Sequence, residues 1–286
     1  MDRIEIFNQS RPRLFALAYR MVGSAMDAED LLQETLVRWL AAPNNIQSPP
    51  AYLTTVLTRL CIDHLRLARV QREEYLGPWL PEPITITSPP DSSELADSIS
   101  LAFLVLLETL SPPERAAFLL REVFDYSYKE IAHMIGKNEA NCRQIVKRAR
   151  EHLVARRPQF EASEEEHKRL VAEFAQACFA GNLNGLLALL TNDVTLYPDG
   201  GGKVKTALRP IQSANNVARF LLAGMEFFLP EGFTPSWVNI NGQPGMIGYV
   251  NGQPYVVLAF DISAGHIHTI YMILNPDKLR HIQSKM

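Results

Sequence analysis

The stretch "YSYKEIAHMIGKNEANCRQIVKRAREHL", residues 126–153, carries two short helical patterns around a glycine, and its reading decides the fold. Tyr128, Ile131, Ala132 and Ile135 recur at helical spacing and give the first helix an apolar face. Gly136 makes the turn, and Asn138 suits the N-cap of a second helix. There Cys142, Ile145, Val146, Ala149 and Leu153 share one side. Glu139, Asn141, Arg143, Gln144, Lys147 and Arg148 are left elsewhere around the helix. This is a helix-turn-helix pattern, whose second helix enters the major groove of DNA by its first residues. Arg pairs there with guanine and Gln or Asn with adenine, while cations further along suit phosphates. An ordinary solvated helix hairpin shares the apolar pattern; the cationic excess outside favours DNA.

Charge along the chain supports the same reading. The 286 residues carry a net charge of −3, too acidic for a protein that grips DNA alone through bulk electrostatics. Yet Lys129, Lys137, Arg143, Lys147, Arg148, Arg150, Arg156 and Arg157 face only Glu130, Glu139 and Glu151. A second basic stretch holds Arg59, Arg66, Arg69 and Arg72. Two basic faces on an acidic chain imply DNA contact assisted by a larger partner. Composition is that of a globular protein, 47% hydrophobic and 21% charged, with no apolar run long enough to span a membrane and no signal-peptide core. The expected compartment is the cytoplasm. Cys61, Cys142 and Cys178 are far apart, without metal-ligand spacing, and read as small buried hydrophobes. No cofactor or metal is expected.

Residues 3–74 are helical in pattern. "RLFALAYRMVG" stops at Gly23, Asp27 suits the cap of "DAEDLLQETLVRWL", and Pro49–Pro50 precede a helix striped by Leu53, Val56, Leu57, Leu60 and Leu65. Residues 75–97, dense in Pro and Ser, form a linker that contains "WLPEP". Residues 98–157 hold two helices and the helix-turn-helix. From 165 to 281 a helix leads into alternating segments such as "DVTLYP", "PYVVLAF" and "HIHTIYMIL", with turns at the repeated "NGQP". Two all-helical domains thus precede one α+β domain.

Three motifs, "DAEDLLQET", "AYLTTVLTRLCIDHLR" and "LSPPERAAFLLREVFDYSYKEIA", resemble in this order the two domains of an extracytoplasmic-function (group IV) sigma factor. The resemblance implies that Asp30, Gln33, Glu34 and Arg38 dock on the clamp helices of the largest subunit of core RNA polymerase. It implies that the Pro-flanked loop and the helix after it handle the −10 promoter element, and that residues 138–148 read the −35 element. Around that loop Trp39, Asn44, Asn45, Tyr52, Arg59 and Arg66 supply the aromatics and cations that hold an unstacked base. Trp39 and Tyr52 read equally well as core aromatics. A promoter spacing of about 55 Å, roughly 16–17 base pairs at about 3.4 Å, lies within the linker's reach at about 3.3 Å per residue.

The last domain resembles a SnoaL-like domain of the NTF2 superfamily, a cone-shaped α+β fold with a pocket. Sigma factors of the SigJ-like group carry one, together with "WLPEP" (Trp79, Leu80, Pro81, Glu82, Pro83), "DGGGK" (Asp199, Gly200, Gly201, Gly202, Lys203) and "NPDKL" (275–279). In that group the extension regulates in cis and no separate anti-sigma protein is required. "DGGGK" lacks the Ser or Thr of a phosphate loop, so it reads either as a tight turn between strands or as an interdomain contact. In the second reading Trp79 is a large buried anchor and Lys203 pairs with Glu82. An alternative is a helix-turn-helix regulator whose SnoaL-like pocket senses a small ligand or retains isomerase- or cyclase-like activity. Asp193, Asp199, Asp261, His266 and His268 are the groups available for acid–base work. Enzyme activity is not expected, because a fold alone does not establish catalysis.

Overall fold

The computed structural model describes residues 2–85, 100–154 and 163–285, with 69–73 and 154 described by backbone alone. Residues 86–97 of the linker, Arg156 and Arg157 lie outside the described residues, as do the side chains of Arg69 and Arg72. The described chain clusters into two compact units. One holds the described parts of Met1–Glu74 and Phe103–Arg157. The other joins the linker start, from Tyr75, and residues 100–102, which include the first two of the helix Leu101–Leu107, to the C-terminal part.

In the first unit α1 (Arg3–Val22) ends on Gly23, whose φ of 74° is left-handed, and α2 (Ala25–Leu40) follows at once. Ser24 rather than Asp27 caps α2: its hydroxyl accepts from the Asp27 N–H at 3.0 Å. The cap must have extended backbone just before the first helical residue, and Ser24 holds that position while Asp27 is already inside the first turn. Pro49 and Pro50 open α3 (Pro49–Glu73), where a missing N–H costs nothing. Leu14, Leu17, Leu32, Leu53, Leu57 and Cys61 form the core between these helices. α4 (Leu101–Leu107), α5 (Pro112–Glu122), α6 (Tyr128–Ile135) and α7 (Glu139–Val154) follow. A capping box starts α6: Glu130 accepts from the Ser127 N–H at 2.8 Å and Ser127 Oγ from the Glu130 N–H at 3.3 Å. The Ser127 hydroxyl, donating at 2.6 Å, and the Ser127 N–H hold the Glu130 carboxyl below its ordinary range. Gly136, at φ 66°, closes α6, and Asn138 caps α7 as its position predicted, accepting from the Asn141 N–H at 2.8 Å. Met134 is buried beside Ile131 and Ala132, a contact the apolar pattern had not included.

Arginines tie α1–α3 to α5–α6. Arg115, 2% exposed, donates to Met21 O at 2.7 Å and Leu107 O at 2.9 Å and pairs with Glu108. Arg13 donates to Phe124 O at 2.8 Å and lies over the rings of Phe124 and Tyr126. Arg59 donates to His133 O at 2.9 Å and Met134 O at 3.0 Å, carbonyls at the negative end of α6.

The second unit comprises α8 (Glu164–Phe179), α9 (Leu183–Leu189), β1 (Leu190–Asp199), β2 (Ile211–Gln212), α10 (Ala214–Phe227), β3 (Phe233–Ile240), β4 (Gln243–Val250), β5 (Gln253–Ser263), β6 (His266–Ile273) and a 3-10 turn (Pro276–Leu279). Its sheet runs β2-β1-β6-β5-β4-β3, antiparallel except for the parallel pair β1 and β6. Both "NGQP" segments are tight hairpin turns, with positive φ at Asn241–Gly242 and at Asn251–Gly252. α8 and α10 share one core with the sheet, and Phe174 meets Phe260 edge-on at 5.1 Å. All three cysteines are free and buried, and burial raises each thiol, that of Cys178 to about 12.

Candidate functional site

On α2, Asp30, Gln33, Glu34 and Arg38 are all exposed, and Glu34 accepts from Arg38 at 2.8 Å across one turn. Met26, Val37 and Leu40 are exposed on the same helix, an apolar component that the polar strip did not announce. On α7, Glu139, Asn141, Arg143, Gln144, Lys147 and Arg148 are likewise all exposed, as an outer face requires. Arg143 is held by Glu139 at 3.2 Å and over the ring of Tyr128 at 5.0 Å.

The residues expected to border an unstacked base differ in exposure and in what they contact. Trp39 is 3% exposed, its indole N–H donates to Arg3 O at 2.9 Å, and Arg3 covers its ring. A ring so enclosed has no free face for a base, so of its two readings the structure selects the core aromatic. Tyr52 tilts against it at 5.7 Å and is half-buried. Asn44 and Asn45 are exposed, with Asn44 Oδ1 accepting from Arg3 at 2.8 Å. Arg66 is exposed and paired with Asp63. The guanidinium of Arg59 is occupied by the α6 carbonyls.

In the second unit "WLPEP", "DGGGK" and "NPDKL" meet at one point. Asp199, the last residue of β1, is fully buried. One of its carboxylate oxygens accepts from the Tyr75 hydroxyl. The other accepts from the Leu80 N–H at 2.8 Å and from Lys278 Nζ at 2.6 Å. Lys278 also donates to Leu80 O and lies 4.2 Å from the centre of the Trp79 ring. Asn275 donates to the Tyr75 hydroxyl at 3.0 Å. Burial and the Asp199 carboxylate push the Tyr75 phenol well above its ordinary range. Every donor and acceptor of this buried group has a partner, which is the condition for an ion pair to persist away from water.

Further along, the linker extends the sheet: the Asn241 N–H donates to Ile84 O at 2.8 Å and Thr85 bridges Ile240 on β3. His281 approaches Pro83 O at 2.7 Å. The anchor is Leu80, 1% exposed, while Trp79 stays half-buried so that its face can meet the ammonium. Lys203 pairs with Asp277 and not with Glu82; Glu82 is buried, with the His281 ring 4.0 Å away. Lys203 and Arg280 hold the Asp277 carboxyl below its ordinary range.

The glycines make room for this contact. A Cβ on Gly201 would lie 2.9 Å from the Tyr75 hydroxyl and one on Gly202 2.9 Å from Leu76 Cδ1, and both residues have positive φ. The run is also a tight turn, with Gly200 O accepting from the Lys203 and Val204 N–H groups at 3.0 and 3.1 Å, and it opens the loop between the antiparallel strands β1 and β2, so the turn and the contact are both present. His266 and His268 approach the carbonyls of Ala264 and Ser263, and no metal-holding group of His, Cys, Asp or Glu exists among the described residues. Tyr75, Asn275, Lys278 and His281 were missed as site residues. "NPDKL" was visible as a motif, but nothing in the sequence joined it to Tyr75.

An α-helical pair of domains, the second a helix-turn-helix, defines a class of transcription protein, and the family comparisons agree. A family model for Sigma-70 region 2 matches residues 6–70, and one for Sigma-70 region 4 matches 100–153. The ECF RNA polymerase sigma factor SigJ of Mycobacterium tuberculosis is 35% identical over 95% of this chain and 91% of its own. The probable ECF RNA polymerase sigma factor SigI of the same species is 32% identical over 96% and 94%. The crystal structure of M. tuberculosis SigJ superposes with a TM-score of 0.78, at 32% identity, covering 96% of this chain and 97% of that one. The chain belongs to the extracytoplasmic-function family of RNA polymerase sigma factors, in the SigJ-like group. No described helix is long and apolar enough to cross a membrane.

Proposed function

We propose that the chain directs core RNA polymerase to promoters with −35 and −10 elements and that its C-terminal domain regulates it in cis by holding the linker. In this reading Asp30, Gln33, Glu34 and Arg38 dock on the clamp helices of the polymerase. Arg143, Gln144, Asn141 and Glu139 read the −35 element, with Lys147 and Arg148 on phosphates. Asn44, Asn45, Tyr52 and Arg66 serve the −10 element. Arg59 joins them once it is released from α6; Trp39 supports the loop from below.

The carrying observation is the Asp199–Lys278 pair closed over the Leu80 backbone. Leu80 lies in the stretch that must extend if the two sigma domains are to contact separate promoter boxes. With 75–85 seated, those residues no longer extend at roughly 3.3 Å each, which shortens the linker's reach. The arginine contacts between α1–α3 and α5–α6 favour the same closed state. A tethered contact works at roughly millimolar effective concentration, so it regulates without tight intrinsic affinity. No separate anti-sigma protein is then needed.

Run-off transcription with purified core polymerase tests this. Full-length protein should give a promoter-specific transcript, and replacement of Gly201 and Gly202 by leucine should change its amount while circular dichroism stays native. Promoter binding by the chain alone, with no transcript on adding core, would instead support a plain helix-turn-helix regulator.

A further inference from the structure

The C-terminal domain contains a cavity of about 320 Å³ between α8, α10 and the sheet. Phe174, Phe220, Leu221, Met246, Leu258 and Phe260 contribute to an almost wholly apolar wall. At its edge Phe179, Phe228 and Trp237 are about half exposed, a concentration of apolar surface that a folded domain rarely leaves to water without a use. Among the described residues no carboxylate or imidazole lines it. Cys178 does line it, but burial keeps that thiol protonated. Among the described residues its single cation is Lys205, exposed and without an ion pair to any of them. Space, wall and cation together define a binding site.

We infer that this cavity binds a small apolar molecule ending in one anionic group, such as a medium-chain carboxylate, and that occupancy alters the hold on the linker. A cavity of this size stands at the lower end of small-molecule pockets, about 300–1,000 Å³. The alkyl or ring portion lies among the aromatic and aliphatic walls and the anion meets Lys205. Two wall segments lead directly into the linker contact. Val204 and Thr206 pack on Gly200, where an added Cβ would lie 2.5 Å from Val204 O and 2.8 Å from Thr206 Cγ2. Leu274, also in the wall, donates its N–H to Asp199 O at 2.8 Å, and its neighbour Asn275 holds Tyr75. A ligand that displaces either segment acts on Asp199 or Tyr75. This second half rests on the linker reading above; the binding half does not.

The test uses full-length protein titrated with decanoate and with decanol, followed by Trp237 fluorescence against a Trp237→Phe control. Decanoate should bind saturably and at least threefold more tightly than decanol. Lys205→Met should weaken decanoate about threefold to fivefold and leave decanol unchanged, as an exposed charge pair predicts. Gly224 lines the cavity on α10 and a Cβ there meets nothing within 4 Å, so Gly224→Leu should fill the space without unfolding the helix. It should weaken both ligands at least tenfold. Absence of saturable binding, or undiminished binding to Gly224→Leu, overturns the site; equal affinity for decanol and decanoate overturns the anionic class. In run-off transcription decanoate should shift wild-type output at least twofold and leave Gly224→Leu unmoved. Leu80→Ala, which removes the buried side chain that anchors the linker and weakens its seat, should bind decanoate but no longer respond. Intact binding with unmoved output overturns the coupling alone, and a persisting response in Leu80→Ala shows that the effect bypasses the linker.

Discussion

Asp199 and Lys278 meet where water is excluded, at 0% and 7% side-chain exposure, and neither charge is tolerable there without the other. Removing one partner, Asp199→Asn or Lys278→Met, should destabilise the C-terminal domain by about 3–5 kcal/mol, the cost of stranding a buried charge. The double variant should cost much less than the sum, and thermal unfolding of the four proteins measures that coupling. Additive losses would mean the pair is not a unit. Tyr75 adds a pH dependence of defined sign. Its folded pKa is raised above the ordinary 10.0, so the fold favours the protonated phenol. The resulting stabilisation is complete below pH 10 and is lost as pH rises through the raised value. Tyr75→Phe should therefore remove an alkaline weakening that the wild type shows in denaturant titrations.

At the scale of elements, α6 and α7 depend on their first residues. Ser127→Ala removes one side of the α6 capping box and should cost about 1 kcal/mol in urea unfolding. The helix-turn-helix was legible in the sequence because its determinants are local: helical spacing, one left-handed glycine and one cap lie within 28 residues. The caps were less so, since Ser24 and Asp27 are both good capping residues and only the position of the Gly23 turn chooses between them. β3 went unread because Pro235 and Ser236 interrupt its alternation; as an edge strand it tolerates them. "DGGGK", "WLPEP" and "NPDKL" were each legible as motifs. That Tyr75 and Lys278 complete the site was not, because the hydrogen bond from Tyr75 to Asp199 joins residues 124 apart. The fate of Trp39 was equally closed to pattern reading, since helical spacing does not say which aromatic has an arginine above it.

At the scale of the whole molecule, two kinds of surface serve the proposed cycle: an exposed strip on α2 for the polymerase and an exposed basic face on α7 for DNA. Asp30→Lys with Glu34→Lys should abolish recovery of core polymerase in a pull-down while leaving the unfolding temperature within a few degrees of wild type. Retained recovery would place the polymerase contact elsewhere. The central claim is that the C-terminal domain restrains the linker, and linker-side variants test it most directly because they leave that domain's own core intact. The decisive measurement is run-off transcript at limiting core polymerase from wild type and from Tyr75→Phe/Leu80→Ala. The account predicts more transcript from the released variant; equal or lower output at equal protein would contradict it.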